Sequence, residues 1–336
     1  MAEQIYYAGL IGCGDYLQWF IDALNTSKKL KVKSTFDLDK EKSKLRAGQL
    51  GAIPVEDADR IFADPEISVV MIFTPPWART ALFQKAVQTN KQIITTKPLA
   101  SNYASAKEMA DMVEGKVQCA VHYGRSGDAV TETLKNIFDE GEIGKLALYK
   151  EDWFHHFPTW NNWALDPEKN GGPFMDAMVH NLNKARYLMN REPVSLTYFS
   201  DNHVQNLKCN DTEGMKIDFE GNASAHLFIT WAADLEVYNS AANDREHYGI
   251  AHYITDKGWY VNEVERPEGV FIKAHKEDQV KEWKANTLHE TVFDQFVIEW
   301  ENDQEVAPNI KMALEDIRLM ELATKNQNSK LNLTAI

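Results

Sequence analysis

Cysteine is almost absent from this chain. Cys13, Cys119 and Cys209 are odd in number, far apart and form no Cys-x-x-Cys pair, which excludes a disulfide framework or a thiolate zinc site and suits a reducing compartment. Positive charge is in deficit too: 36 Lys and Arg against 50 Asp and Glu leave a net charge of −14. Such a surface repels phosphate backbones and anionic membranes, so neither nucleic acid nor membrane is an expected partner. No run of about eighteen apolar residues occurs, and no basic segment precedes an apolar core at the N-terminus. The expected location is the cytoplasm. Repeats and low-complexity linkers are missing, and no spacing of His, Cys, Asp or Glu signals a metal site.

What is present is ample apolar content, 44% of 336 residues, a length that suggests two domains. Residues 1–122 alternate strand and helix patterns. Strands are expected at 5–11, 30–36, 52–55, 67–74, 92–95 and 117–121, with helices at 15–24, 39–50, 80–89 and 104–113. That alternation predicts a doubly wound parallel sheet, an α/β fold of the Rossmann kind. Residues 123–336 read as an α+β domain with a large open, mostly antiparallel sheet. Its strands are expected at 146–153, 195–200, 215–219, 223–232, 248–255, 258–262 and 269–275, and its helices at 125–139, 288–299 and 309–324.

The first stretch with chemistry is Ile5 to Asp37. An apolar strand stops at Gly12-Cys13-Gly14, a helical pattern follows from Asp15 through Tyr16 and Leu17, and a second strand ends in Asp37. In a dinucleotide site Gly12 permits the tight turn, Gly14 admits the pyrophosphate to the backbone, and Asp37 accepts the ribose hydroxyls. Leu17 stands where a third glycine would. The alternative is an ordinary strand-to-helix turn. A carboxylate at Asp37 with Leu38 beside it favours NAD over NADP, although Lys40, Lys42 and Lys44 could neutralise a 2′-phosphate. Gly12, Gly14, Asp15, Tyr16, Leu17 and Asp37 are expected at the cofactor, with Thr74-Pro75, at the end of the most apolar strand, under it and Lys97-Pro98 beside it.

Two further stretches carry titratable groups. Thr96-Lys97-Pro98 follows a strand, which places Lys97 at the sheet edge where a cofactor binds, and Pro98 keeps Lys97 out of the helical region. A surface lysine is the alternative. Gly171-Gly172-Pro173 precedes a helix in which Asp176 and His180 lie four apart and share a face. An imidazole held by a carboxylate can take a hydroxyl proton as its carbon gives up hydride. A buried hydrogen-bonded pair is the other reading.

Together, Gly-Leu-Ile-Gly-Cys-Gly at 9–14, Thr-Lys-Pro-Leu-Ala at 96–100, Gly-Glu-Ile-Gly at 141–144 and Gly-Gly-Pro-Phe-Met-Asp-Ala-Met-Val-His at 171–180 resemble the Gfo/Idh/MocA family of sugar and cyclitol oxidoreductases. The resemblance implies NAD or NADP, a polyol or sugar substrate, and a C-terminal sheet that mediates homo-oligomerisation as a dimer or tetramer. It also implies an active-site lysine at Lys97, with a carboxylate and base at Asp176 and His180. Thr96 replaces the family's usual glutamate, and Pro76 and Arg79 stand where Asn and His are common. Members that recycle a bound NAD for epimerisation, elimination or glycoside cleavage, and sensors that only bind it, keep two other readings open.

The substrate is expected between the domains, on Lys97, Arg125, His155, Trp160, Trp163, Asp176 and His180. Indole faces suit the C–H groups of a sugar ring, and polar side chains suit its hydroxyls. At least one tryptophan of Trp153, Trp160 and Trp163 is expected only to pack the core, and Arg125, Tyr123 and Asn181 are expected as rim or polar contacts.

Overall fold

Six parallel strands make the first sheet of the computed structural model: β1 (Tyr6–Ile11), β2 (Leu30–Phe36), β3 (Ile53–Pro54), β4 (Ile67–Ile72), β5 (Gln92–Thr96) and β6 (Cys119–His122), in the spatial order β3-β2-β1-β4-β5-β6. Residues 4–123, 128–154, 156–159, 162–169, 171–233, 248–285 and 290–335 are described. The strand order reverses direction at β1, the switch point where doubly wound sheets bind ligands. Connecting helices are α1 (Ile21–Thr26), α2 (Lys40–Leu50), α3 (Ala58–Ala63), α4 (Thr80–Gln88) and α5 (Tyr103–Val113). Central strands buried on both faces need continuous apolar runs, and Val69, Val70, Met71 and Ile72 of β4 are all fully buried.

Residues 1–123 pack with 288–317 as one compact unit, and 124–287 with 318–336 as the other. The returning segment carries α8 (Val292–Glu301), whose Phe293, Phe296 and Val297 join Leu10, Leu24, Val69 and Ile94 in the first core. Asp294 closes a capping box with Thr291 and also accepts from the Ser27 hydroxyl (2.7 Å) and the Lys28 and Lys29 N–H groups (2.9 and 2.8 Å).

The second unit contains α6 (Ala129–Glu140), β7 (Leu146–Phe154), α7 (Val179–Met189), β8 (Pro193–Asp201), β9 (Thr212–Phe219), β10 (Ala223–Thr230), β11 (Tyr248–Thr255), β12 (Tyr260–Arg266), β13 (Gly269–Lys276) and β14 (Gln279–Lys284). After α9 (Ile310–Lys325), the short β15 (Lys330–Asn332) adds to β8. The nine strands run β14-β13-β12-β11-β7-β10-β9-β8-β15, antiparallel except for the β7–β10 pair. Period-2 alternation sends Tyr149, Leu196, Tyr198, Ile217, Leu227, Tyr253 and Val261 to one face, where Leu134, Phe138, Leu182, Leu188 and Met320 of the helices cover them.

β14 and β15 were not expected from the sequence. The turn between β13 and β14 uses Glu277 at φ +52° rather than a Gly or Asn, so it lacks the usual hairpin signal. β15 is only three residues long.

Candidate functional site

The glycine turn lies at the carboxyl end of β1. Gly12 has φ +95°, and a Cβ there would meet Phe73 C at 2.6 Å and Thr74 N at 2.8 Å, so the approach of β4 demands glycine. Gly14 differs: its φ is −68°, and a Cβ would meet nothing within 4 Å. The expected α-helix from Asp15 instead opens as a 3-10 helix, Asp15–Phe20, before α1. Asp15 and Tyr16 are exposed. Leu17 is 1% exposed and belongs to the core, and its N–H donates to Gly14 O (3.1 Å). Of the residues expected at the cofactor, Leu17 is thus turned inward.

Asp37 holds the turn. Its carboxylate accepts from Cys13 N (2.7 Å) and Asp39 N (2.8 Å), one bond to each oxygen, which leaves lone pairs on both. Arg46 of α2 is buried and grips the same turn from its carbonyl side, with Nε on Cys13 O (3.4 Å) and Nη2 on Gly14 O (3.3 Å). Burial, then the Asp37 charge, push the Cys13 thiol up to about 12 against the opposing pull of Arg46, so this cysteine is no nucleophile at neutral pH. Beyond Asp37, a cavity of about 180 Å³ is lined by Asp37, Leu38, Lys40, Lys44, Val55 and Glu56. Lys40 pairs with Glu56 (2.7 Å) and Lys44 with Glu41 (2.8 Å), so each ammonium already has a carboxylate.

At the ends of β4 and β5, Arg79 is 2% exposed and ties two loops together. It donates to Thr74 O (Nε 3.0 Å, Nη2 2.8 Å), to Thr96 O and Pro98 O (both 2.5 Å from Nη1) and to Thr96 Oγ1 (3.2 Å from Nη2). Burial lowers its pKa to about 9, which leaves it charged at neutral pH. Lys97 lies between the two carbonyls that share Nη1. Its own N–H donates to His122 O (3.0 Å), and the Lys97–Pro98 peptide is cis. Pro75 is exposed, while Thr74 Oγ1 is buried with no hydrogen-bond partner among the described residues.

In the second unit the Gly-Gly turn is fixed from two sides. A Cβ on Gly171 would meet Asp166 N at 2.4 Å, and Gly172, at φ +127°, lies against the Glu213 carboxylate. Glu213, on β9, accepts from Phe174 N (2.6 Å) and from the Ser200 hydroxyl (3.1 Å). Burial pushes its carboxyl up, against these hydrogen bonds. The chain then makes a π-turn over Phe174–Met178 and continues as α7. Asp176 lies in the π-turn and His180 in the first turn of α7, both half-buried. Such π-turns frequently accompany functional sites because they re-aim the side chains they carry.

Trp163 is half-buried in a 3-10 turn over Asn162–Leu165. Trp153 donates to the buried Glu151 (2.7 Å), a packing role. Tyr123 and Asn181 are fully buried rather than at a rim, with Asn181 Nδ2 3.4 Å from the Tyr149 hydroxyl. Arg125, His155 and Trp160 lie outside the described residues.

Residues 7–124 match the oxidoreductase family model with an NAD-binding Rossmann fold, and residues 131–242 match the GFO/IDH/MocA C-terminal domain. The chain belongs to the Gfo/Idh/MocA family. A curated Gfo/Idh/MocA-type relative, scyllo-inositol 2-dehydrogenase (NAD(+)) of Bacillus subtilis, is 33% identical over 146 residues, 42% of this chain and 41% of that protein. The chain spans between 41% and 59% of the length of such relatives, which include an inositol 2-dehydrogenase/D-chiro-inositol 3-dehydrogenase of Lacticaseibacillus casei. The fold is shared with an aldose-aldose oxidoreductase from Caulobacter crescentus complexed with glycerol (TM-score 0.83, 16% identity, 98% and 100% of the two chains). It is shared also with an oxidoreductase from Agrobacterium radiobacter in complex with NAD+, L-tartaric acid and magnesium (TM-score 0.81, 18% identity, 98% and 99%).

The first unit is therefore the family's NAD-binding Rossmann domain, and its residues fit that group. Gly14 opens on space that no other described residue fills, Asp37 keeps lone pairs for a ribose, and Thr74 Oγ1 is without a partner among the described residues. Sequence reasoning missed Arg46 and Glu213 as supports and named Arg79 only as a departure. Nothing in the local pattern distinguishes these three from ordinary surface charges.

Proposed function

We propose that this protein is an NAD-dependent oxidoreductase acting on a hydroxyl carbon of a sugar, sugar derivative or cyclitol, with Lys97, Asp176 and His180 as its proton-transfer group. Bound NAD supplies the hydride acceptor. Lys97 donates to the substrate oxygen and stabilises the developing alkoxide, while His180, oriented by Asp176, takes the hydroxyl proton. The observation that carries this reading is the clamped lysine. A buried arginine fixes the carbonyls on both sides of Lys97 at the carboxyl edge of an NAD-binding sheet, and such rigidity is what a proton-transfer group needs. The inositol dehydrogenases among the relatives support the substrate class.

NAD is preferred over NADP because Asp37 would repel a 2′-phosphate and the nearby Lys40 and Lys44 are already paired. A second copy of the chain is the proposed occupant of the uncovered sheet face, where Phe154, Ile250, Ile254 and Tyr260 are exposed on adjoining strands; light scattering after gel filtration tests it, and a monomer at micromolar concentration would exclude it.

The deciding experiment supplies NAD and NADP separately with a panel of inositols, monosaccharides and sugar acids and follows reduced-nicotinamide absorbance. Turnover with NAD is expected. Lys97→Ala and His180→Ala should each lower it by roughly 10²–10⁴-fold while NAD affinity changes little. Unchanged turnover in either variant would remove that residue from the proposed group. Tight NAD binding with no net reduction across the panel would favour the reading in which the cofactor is recycled.

A further inference from the structure

Dinucleotide domains ordinarily draw a pyrophosphate to the start of a long helix through its dipole and unpaired N–H groups. Here that source is weak. The helix after Gly14 begins with six residues of 3-10 geometry and ends after six more residues at Thr26, so few peptide dipoles align. The acid in direct contact with the turn, Asp37, adds a negative charge where another anion must bind.

Arg46 answers both problems. It is 7% exposed, and its guanidinium reaches the carbonyls of Cys13 (3.4 Å) and Gly14 (3.3 Å) while Nη1 is fixed by Gln49 (2.9 Å). In a trans peptide the carbonyl and the following N–H point in opposite directions. Holding those two carbonyls on the arginine side therefore turns the N–H groups of Gly14 and Asp15 to the other side. Cys13 N, by contrast, is committed to Asp37 (2.7 Å). The same guanidinium brings a full positive charge to a turn that otherwise carries the negative charges of Asp15 and Asp37.

We infer that Arg46 is a positioning residue for the cofactor's pyrophosphate, aiming the Gly14 and Asp15 N–H groups at it and supplying the positive charge that the shortened helix lacks. The inference rests on the NAD-binding reading of the first unit. It makes Arg46 matter to ligands that carry phosphate and indifferent to those that do not.

Binding of NAD, ADP-ribose and adenosine to the full chain separates these cases by calorimetry or, for the weak ligand, saturation-transfer NMR. Arg46→Gln should weaken NAD and ADP-ribose by roughly tenfold or more while leaving adenosine within about twofold. Arg46→Lys should recover only part of the loss, because the charge returns while the fork that holds both carbonyls does not. Equal weakening of all three ligands would reduce Arg46 to a scaffold residue, and undiminished NAD binding in Arg46→Gln would overturn the inference outright. Should Arg46→Gln fail to fold, the lysine variant decides: ADP-ribose weakened relative to adenosine upholds the inference, and wild-type affinity for both ligands defeats it. Wild-type protein that binds neither NAD nor ADP-ribose would overturn the cofactor reading and this inference with it.

Discussion

Two glycine pairs, Gly12 with Gly14 in the first unit and Gly171 with Gly172 in the other, are similar in sequence and differ in what demands them. Gly12 is forced by the backbone of Phe73 and Thr74, whereas among the described residues nothing beyond its own chain neighbours lies within 4 Å of a Cβ placed on Gly14. In the second unit both glycines are forced, Gly171 by the backbone of Asp166 and Gly172 by its φ of +127° beside Glu213. A glycine pair demanded throughout by its own chain is architecture: it aims the π-turn that carries Asp176. A glycine that nothing in the chain requires leaves room for something outside the chain.

Buried polar atoms repeat the contrast. Glu213 finds Phe174 N and Ser200, while His122 Nε2 has no partner among the described residues and its ring packs against Phe20 and Phe293 at 5.8 and 5.5 Å. Burial holds the His122 pKa down to about 4.

The contrast can be broken at three points. The largest effect is expected at Gly171→Ala, where the new Cβ would have to displace the Asp166 backbone. Destabilisation of about 3 kcal/mol or more in urea unfolding is expected, and a loss under about 0.5 kcal/mol would show that the turn relaxes freely.

His122→Phe comes next and depends on pH. An unfolded histidine takes up its proton near pH 6.5, but the folded one stays neutral until about pH 4. The native state of the wild type therefore loses stability as pH falls through that window, by about 2 kcal/mol at pH 5 relative to pH 8. The variant, which has no such proton to gain, should show an advantage at pH 5 that is absent at pH 8. An equal stability difference at both pH values would mean that His122 is not held neutral.

The smallest effect on the fold is expected at Gly14→Ala. Its backbone angles suit alanine, so stability should stay within about 0.5 kcal/mol of wild type, while NAD affinity falls by roughly tenfold as the methyl group takes the open space. Unaltered affinity would move the pyrophosphate away from Gly14.

What could be read beforehand was local. Strand, glycine turn and acid succeed one another within Ile5 to Asp37, so the cofactor followed from one stretch, and the parallel domain from the strand and helix alternation over residues 1–122. The Asp176 and His180 spacing was equally plain, although the π-turn beneath it leaves no mark in sequence. Supports contributed from distant elements were opaque: Arg46 reaches back 32 residues to Gly14 and Glu213 reaches 39 to Phe174, and both read as surface charges until the fold brings them inside. Tyr123 and Asn181 erred the other way as rim residues, since a tyrosine after a strand or an asparagine beside His180 reads the same whether or not helix and sheet close over it.

The return of residues 288–317 to the first unit has a consequence for synthesis. Phe293, Phe296 and Val297 belong to a core whose sheet members end at Ala120 and leave the ribosome 172 residues earlier, counting from Ala120 to Val292 (292 minus 120). At bacterial-to-eukaryotic elongation rates that interval is roughly 10 to 30 seconds. During it the glycine-turn domain exists with one side of its core uncovered, so that core is completed only after most of the second unit has been made.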